Sequence, residues 1–293
     1  MTPMLDIIIP LKDRPVAACV ESLWRSLVNW NAGTYRIWLC DGGSTQPEVV
    51  DTLAHLANGD RVTVLSRLDS GFNKAALMNE GLRHAQAETV LVSDADILWN
   101  EAALESVLTV LDATPTALCH IAQVNETEPQ TTALSRPRYG YRLKTTAQGL
   151  AVIVEQVAPR PDHRPGCGLV AARRETWQTL GGYKEQFHGW GWEDQDLLMR
   201  AELLGIPLRA AGCVLHQSHA DALRNPFHGH QPPQATRDLN LLRCLEGLQR
   251  GDLWGDLGNS GDSIQTRRPP IQAAIRVDLP PDLARFLEGL SSP

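Results

Sequence analysis

The first hundred residues alternate short apolar runs with segments of helical spacing, and this alternation limits the fold more than any other feature of the sequence. The apolar runs cover Leu5–Pro10, Tyr35–Cys40, Arg61–Leu65 and Thr89–Ser93. Short apolar runs that alternate with helices are typical of buried parallel strands joined by helical crossovers. The sequence therefore predicts an α/β fold with a mostly parallel central sheet flanked by helices.

The remainder of the chain divides into a patterned part and a tail. Helical spacing recurs at Arg174–Leu180 and Asp194–Leu204, and a final apolar run covers Leu208–Leu215. From about residue 256 the chain becomes rich in Gly, Ser and Pro. We therefore expect a single domain over residues 1–255 and a tail over residues 256–293 that is mobile or docks a partner.

Charge and cysteine content argue against several classes of protein. The net charge of -7 disfavours nucleic acid held by nonspecific attraction to phosphates. Six cysteines without a CxxC pair indicate neither a zinc ribbon nor a disulfide framework. The sequence has neither an apolar stretch of roughly 18 residues nor the features of a signal peptide. These features predict a cytoplasmic protein without a transmembrane segment, which leaves room only for peripheral membrane contact.

Two carboxylates, Asp94 and Asp96, follow the apolar run at Thr89–Ser93. Ligands of open parallel sheets bind beyond the carboxyl ends of the strands. Paired oxygen ligands there suit Mg²⁺ or Mn²⁺, which also bind substrate phosphates. A polar strand end in a solvated turn would have the same residues, so the motif alone leaves both readings open.

Two histidines, His216 and His219, follow the last apolar run. Imidazole ligands are more typical of Mn²⁺, Fe²⁺ or Zn²⁺ than of Mg²⁺, so these side chains could complete a coordination shell begun by Asp96. A histidine-rich surface loop is the alternative, because His228 and His230 follow.

Residues 189–196 read Gly-Trp-Gly-Trp-Glu-Asp-Gln-Asp, the most unusual segment of the chain. Tryptophan rings on a loop framed by glycines offer exposed stacking surfaces for sugar rings, with hinge freedom. The three acids fall where a helix begins and its dipole favours negative charge. A capped helix with aromatic core anchors would explain the acids but not exposed tryptophans, so we favour a functional loop.

These segments, in this order, resemble the GT-A glycosyltransferases, whose sheet is Rossmann-like. Within that fold the sequence is most similar to the beta-1,4-galactosyltransferases of family 7 and to bacterial chondroitin-polymerase-like and family 2 enzymes, over roughly residues 4–220. The segments are Ile8-Ile9-Pro10, Asp41-Gly42-Gly43-Ser44, Phe72-Asn73-Lys74-Ala75, Asn79-Glu80-Gly81, Ser93-Asp94-Ala95-Asp96, Gly181-Gly182-Tyr183 and Gly189-Trp190-Gly191-Trp192-Glu193-Asp194.

The resemblance implies roles for individual residues. It implies that Asp96, His216 and His219 ligate Mn²⁺, with Mg²⁺ as the alternative. It also implies that Asp194 is the general base of an inverting reaction, beside Glu193, which binds sugar hydroxyls. The donor-binding residues that it implies are Pro10, Arg14, Asp41, Phe72, Asn73, Lys74, Asp94, Asp96 and Trp190.

The activity that the resemblance implies is transfer of a hexose or N-acetylhexosamine from a UDP-sugar to a hydroxyl of a glycan, peptide, lipid or small molecule. Residues 1–110 would form the nucleotide-binding half and residues 111–255 the acceptor and catalytic half. The sequence departs from the galactosyltransferases at Trp192 and at Pro165–Gly168, where specificity is decided, so the donor sugar does not carry over.

Three alternatives remain open at this stage. A retaining transferase of the same fold is the nearest. A nucleotidyltransferase also holds metal and phosphates with paired aspartates, but it typically has a glycine-rich loop after the first strand, and residues 11–15 contain no glycine. A sugar-binding protein without catalysis would keep the tryptophans but would need neither the acids nor the histidines.

Overall fold

The structure is a computed structural model. It describes residues 4–31, 33–67, 72–128, 138–146, 149–158, 163–219, 227, 232–258, 275–281 and 283–285. The strands are β1 (Leu5–Leu11), β2 (Tyr35–Asp41), β3 (Val62–Ser66), β4 (Thr89–Val92), β5 (Ile97–Leu98), β6 (Leu118–Glu126), β7 (Arg138–Thr146), β8 (Gly149–Val157), β9 (His163–Arg173), β10 (Leu208–His216) and β11 (Arg276–Asp278). The helices are α1 (Ala17–Ser26), α2 (Pro47–Ala57), α3 (Lys74–His84), α4 (Glu101–Ala113), α5 (Arg174–Leu180), α6 (Glu193–Leu203) and α7 (Pro233–Gln249).

A mixed eight-stranded sheet forms the centre of the molecule, in the order β3-β2-β1-β4-β9-β6-β10-β5. Strand β9 lies antiparallel between β4 and β6. Strands β1 to β4, β6 and β10 therefore all run in one direction, and their carboxyl ends meet at one edge. The predicted α/β fold with a mostly parallel sheet is confirmed.

Burial on both faces explains why these strands are predominantly apolar. Every residue of β1 is buried. Its side chains alternate between faces, so that Ile7 and Ile9 belong to the core under α1, α2 and α4, whereas Ile8 belongs to the core under α3, α5 and α6. Helix α3 crosses β1 closely at Gly81, where a Cβ atom would lie 2.5 Å from Ile8 Cγ2. A central strand that is buried on both faces lacks the regular alternation of apolar and polar residues that is typical of a half-exposed strand.

A second, three-stranded sheet has the order β11-β8-β7. Val152 and Val154 of β8 pack with α6 and α7 in a third core. Strand β11 pairs in parallel with β8, and the nearby Leu283 is buried in the same core. The predicted final strand at Leu208–Leu215 is thus followed by another, and this part of the predicted tail packs on the second sheet. The other tail residues, 259–274, 282 and 286–293, lie outside the described residues.

Residues 255–257 form a backbone connection to the turn that follows α5. The N–H groups of Gly255, Asp256 and Leu257 donate to the carbonyl oxygens of Leu180, Tyr183 and Gly181 at 2.9, 2.9 and 2.8 Å. A Cβ atom at Gly255 would overlap the carbonyl group of Gly182. Glycine is therefore required where the two backbones cross. None of the helices in the described part of the chain is both long and apolar enough to cross a membrane.

Candidate active site

Polar side chains collect at the edge where the parallel strands end. Strand β2 ends at Asp41, β6 at Glu126 and β10 at His216, and Asp94 and Asp96 follow β4. Convergence at this edge is expected for an open parallel sheet, since loops and strand ends there point to the same side.

Asp96, His216 and His219 form a cluster, which we call the metal cluster. The Nε2 atoms of His216 and His219 lie 3.6 Å from Asp96 Oδ1 and 3.3 Å from Asp96 Oδ2, respectively. One ligand atom from each residue lies within 4.8 Å of the others. The side chains of Asp96 and His219 keep 21% and 13% of their surface exposed, so a cation has access. Two imidazoles and a carboxylate are a donor set that fits a divalent transition metal.

The metal cluster is electrostatically coupled. Burial alone would raise the pKa of Asp96, but hydrogen bonds and charge from His216 and His219 hold that pKa well below its usual range. Burial would lower the pKa of His216, but Asp96 and Glu126 raise it. The cluster thus favours positive charge beside Asp96.

A second group, which we call the acid cluster, comprises Lys74, Asp94, Glu193 and Asp194. Lys74 Nζ lies 2.7 Å from Asp94 Oδ1 and 3.4 Å from Glu193 Oε1. A Cβ atom at Gly168 would lie 3.7 Å from Asp194 Oδ2 and 3.9 Å from Lys74 Nζ. Side chains from the loop after β4, from α3 and from α6 thus converge over this glycine of β9, which adds no side chain of its own.

Asp194 has an unusual protonation equilibrium. Burial and then the charge of Glu193 raise the pKa of Asp194 to about 6, although Lys74 and the backbone N–H of Gln195 oppose the shift. That N–H donates to Asp194 Oδ1 at 2.7 Å. Burial would lower the pKa of Lys74, but Asp94 and Glu193 raise it, so Lys74 stays charged. A carboxylate with a pKa near 6 is well suited to accept a proton at neutral pH.

The loop of residues 188–192, which we call the Trp190 loop, leads into α6 and is held by α7. The Trp190 N–H donates to Thr236 Oγ1 at 3.1 Å. The amide Nδ2 of Asn240 donates to the carbonyl oxygens of Gly191 at 2.8 Å and His188 at 3.0 Å. The position of the acid cluster therefore depends on a helix more than 40 residues away in sequence.

The prediction that both tryptophans are exposed on a freely hinged loop was wrong. Trp192 is 3% exposed and packs in the third core, so it is an anchor for the loop. A Cβ atom at Gly189 would lie 2.6 Å from Thr236 Cβ, so this glycine allows close packing on α7. Trp192 also has a φ of 77°, a strained value for a bulky residue, immediately before the acids of α6. Trp190 is half-buried.

At the end of β2, Asp41 is buried and accepts hydrogen bonds from the backbone N–H and the hydroxyl of Ser44, at 3.0 and 2.6 Å. The preceding loop is tied to the same turn by Asp13, whose carboxylate accepts from the N–H groups of Thr45 and Gln46 at 2.6 and 2.8 Å. These contacts hold the loops after β1 and β2 together beside the sheet edge.

Aromatic and basic side chains lie near this pair of loops. The Phe72 ring lies beside Gly42: a Cβ atom added to this glycine would lie 3.4 Å from the ring. The rings of Phe72 and Phe227 are 5.9 Å apart, and Lys12 Nζ lies 5.0 Å from the Phe227 centroid. Arg14 Nη2 lies 3.4 Å from His219 Nε2, which connects this region to the metal cluster.

The remaining predicted donor residues have structural contacts of their own. Pro10 is buried in β1 opposite Cys40 of β2. Asn73 is the N-cap of α3: its Oδ1 accepts from Ala76 N at 3.0 Å, while its Nδ2 donates to Glu185 O at 2.7 Å. The donor-binding roles of Pro10 and Asn73 stay predictions.

Comparisons with known proteins bear on the family and the fold. The family model for glycosyl transferase family 2 matches residues 6–159, and the model described as the N-terminal domain of galactosyltransferase matches residues 151–220. No curated protein sequence matches the chain.

Three solved structures are similar in fold. GalNAc-T7 with UDP, GalNAc and Mn²⁺ has a TM-score of 0.57 at 17% identity, and the match covers 84% of this chain and 48% of that one. TarS 1–349 of S. aureus with UDP-GlcNAc has a TM-score of 0.55 at 13% identity, covering 83% and 66%. The mannosyltransferase PcManGT of Pyrobaculum calidifontis with GDP-Man and Mn²⁺ has a TM-score of 0.52 at 20% identity, covering 85% and 65%. The chain thus spans about half of GalNAc-T7 and slightly under two thirds of the other two.

The first family model covers more than half of the sequence, and the sheet and helices match those of the similar structures. The chain belongs to glycosyl transferase family 2 and has the GT-A fold.

Proposed function

We propose that the protein is a metal-dependent, inverting glycosyltransferase that moves a hexose or N-acetylhexosamine from a UDP-sugar to an acceptor hydroxyl. One observation carries the proposal: the metal cluster and the acid cluster meet at the same sheet edge, through Asp94 and Asp96, which are two residues apart. A metal-dependent, inverting transferase needs a cation for the leaving diphosphate beside a base for the acceptor hydroxyl.

The metal cluster would hold the cation through Asp96, His216 and His219. When bound, the cation neutralises the negative charge that develops on the departing diphosphate. Two imidazole ligands favour Mn²⁺ over Mg²⁺, which prefers oxygen ligands and keeps more water. Support also comes from similar structures, since GalNAc-T7 and PcManGT are described with Mn²⁺ and a nucleotide or nucleotide sugar.

The acid cluster would supply the base. The Asp194 carboxylate accepts the proton of the acceptor hydroxyl, whose oxygen then forms the bond to the anomeric carbon. The bond between that carbon and the β-phosphate oxygen breaks on the opposite face, so the anomeric configuration inverts. The raised pKa of Asp194 supports this assignment, because a base with a pKa of about 6 is ionised at neutral pH yet still basic. Glu193 and Asp94, both bridged by Lys74, would bind sugar hydroxyls.

The donor pocket would extend from the metal cluster over the ends of β1 and β2. Arg14 lies beside His219 and would neutralise part of the diphosphate, while Asp41 would face the base or ribose. Phe72 is close enough to Gly42 to bound the same pocket, and Trp190 would close over the sugar. In this arrangement residues 1–110 contribute most donor contacts and residues 111–255 the base.

A donor screen tests the proposal. The protein is incubated with UDP-galactose, UDP-glucose, their N-acetyl forms and GDP-mannose, each with Mn²⁺, Mg²⁺ or EDTA, and release of the nucleoside diphosphate is measured. We expect release from at least one UDP-sugar with Mn²⁺, less with Mg²⁺ and none with EDTA. Failure of every UDP-sugar, or equal release with EDTA, would contradict the proposal.

Stereochemistry is tested separately on the product. The anomeric proton coupling of the transferred sugar, measured by proton NMR before the product equilibrates, should report inversion relative to the donor. A retained configuration would contradict inversion but would not affect the proposed metal ligands.

A further inference from the structure

A third carboxylate, Glu126, stands behind the metal cluster. It is the last residue of β6 and pairs with His216, the last residue of β10, in the parallel register of the two strands. Glu126 Oε2 lies 2.6 Å from His216 Nδ1. The other ring nitrogen, Nε2, lies 3.6 Å from Asp96 Oδ1. The imidazole of His216 is thus fixed between two carboxylates, one on the cluster side and one behind it.

Glu126 is itself held in place from both sides. The Ser218 hydroxyl donates to Glu126 Oε2 at 2.9 Å, and Arg164 Nε of the neighbouring β9 lies 3.6 Å from Glu126 Oε1. Only 7% of the Glu126 side chain is exposed. The Arg164 guanidinium beside Oε1 and the hydroxyl that donates to Oε2 are surroundings that suit an ionised carboxylate. A carboxylate only accepts hydrogen bonds, so His216 Nδ1 must carry the hydrogen.

We propose that Glu126 is a positioning residue for the metal cluster: it accepts the hydrogen of His216 Nδ1, so that Nε2, which lies on the Asp96 side, would be the nitrogen that ligates the cation. The proposal rests on the metal role proposed above and adds a residue that does not itself touch the cation. It follows from the strand register, since a neighbouring parallel strand places its last side chain directly beside His216.

The contact between Glu126 and His216 fixes which ring nitrogen carries the hydrogen, an effect that an ion pair with a purely structural role would lack. In water, neutral imidazole does not prefer one ring nitrogen as the site of its hydrogen strongly enough to fix which nitrogen ligates a metal. In a buried ring, no water can replace a hydrogen-bond partner that is removed. His216 is 2% exposed, so removal of Glu126 leaves its Nδ1 without a solvent partner. Loss of such a carboxylate behind a histidine ligand typically weakens metal binding about 10–100-fold.

The test compares Glu126→Ala and Glu126→Gln with the wild-type chain. Glu128→Gln is the matched control, because Glu128 is exposed, carries the same charge and lies two residues away. Free Mn²⁺ is measured by electron paramagnetic resonance during titration, with and without UDP. We expect Glu126→Ala to weaken Mn²⁺ binding about 10–100-fold. Glu126→Gln should fall between Ala and wild type, because its amide oxygen still accepts a hydrogen bond from Nδ1.

A second readout does not depend on the cation. In ¹⁵N-labelled protein at about pH 8, NMR of the imidazole nitrogens reports which ring nitrogen carries the hydrogen. His216→Gln identifies the His216 signals. We expect His216 to carry the hydrogen on Nδ1 in the wild type and to lose this preference in Glu126→Ala.

The outcomes separate the two proposals. If the wild type binds Mn²⁺ and a folded Glu126→Ala protein binds it with the same affinity, the role of Glu126 alone is overturned. A wild-type His216 with its hydrogen on Nε2 would also overturn it. Absence of Mn²⁺ binding by the wild type, with or without UDP, would overturn the metal assignment and, with it, the role of Glu126.

Discussion

The metal cluster and the acid cluster touch the same short segment, residues 94–96, yet they are supported in different ways. The ligands of the metal cluster lie at or next to strand ends: His216 ends β10 beside Glu126 of β6, Asp96 directly precedes β5, and His219 follows β10 by three residues. The acid cluster depends on the start of α6, which is reached through the strained Trp190 loop and held by α7. The arrangement of the proposed metal ligands therefore depends mainly on the sheet, whereas the position of Asp194 depends on the packing of the Trp190 loop against α7.

The substitution Asp194→Asn should have the largest effect and should separate the role of the acid cluster from that of the metal cluster. The change removes the proposed base without altering the metal cluster, so kcat should fall about 10²–10⁴-fold. Binding of Mn²⁺ and of UDP should stay within about twofold of wild type, measured by calorimetry. Asp51→Asn, on an exposed position of α2, is the control and should be fully active. An Asp194→Asn protein with wild-type kcat would rule out Asp194 as the base.

The reciprocal change is Asp96→Asn. It replaces a charged ligand by a neutral one, and a direct ligand should matter at least as much as an outer-shell partner, so Mn²⁺ affinity should fall about 100-fold or more. Excess Mn²⁺ should restore part of the transfer activity, which no amount of cation should do for Asp194→Asn. If Mn²⁺ affinity is unchanged in Asp96→Asn, the cation binds elsewhere.

The dependence of the acid cluster on α7 is tested by Asn240→Ala. Asn240 is fully buried and donates to two loop carbonyls, so its loss should lower the free energy of unfolding by about 1–3 kcal/mol, measured in urea. Mn²⁺ affinity of the folded variant should not change. Asn29→Ala, at an exposed position, should leave both quantities unchanged. A loss of Mn²⁺ affinity in Asn240→Ala would mean that the two clusters are not supported independently.

The acid cluster should also give the reaction its pH dependence. Because the Asp194 pKa is raised to about 6, the base is protonated and inactive below that pH and ionised above it. With Mn²⁺ saturating at each pH, kcat/KM should fall about tenfold for each pH unit below about 6 and level off above. The residual rate of Asp194→Asn should not show this decrease at low pH. A wild-type profile that is flat between pH 5 and 7 would contradict the assignment.

Sequence patterns predicted the parts of the fold that are buried on both faces. Strands β1, β2 and β4 are apolar runs because they lie at the sheet centre, and α5 has the predicted bounds. Helix α7 was not predicted. Its buried face includes the polar residues Asp238 and Asn240, which interrupt the apolar spacing on which prediction relies.

The site was only partly accessible from the sequence. Ligand chemistry and then the family resemblance grouped Asp96, His216 and His219, and the structure brings them together. Glu126 has no motif and ends a strand that was not predicted, so only the sheet register reveals it. Burial of Trp192 depends on packing with α7, which local sequence does not encode.

The backbone connection at residues 255–257 has a consequence for shortening the chain. The composition change near residue 256 would be a natural place to truncate, but a chain that ended at 255 would lose the bonds that Asp256 and Leu257 donate to the turn after α5. It would also lose the Asp256 carboxylate that accepts from Glu185 N at 2.7 Å. The same turn precedes the segment that carries Glu193 and Asp194, so this truncation would weaken the support of the acid cluster although it removes none of its side chains. The shortest chain that keeps these contacts, together with β11 and its buried Leu283, extends through residue 283.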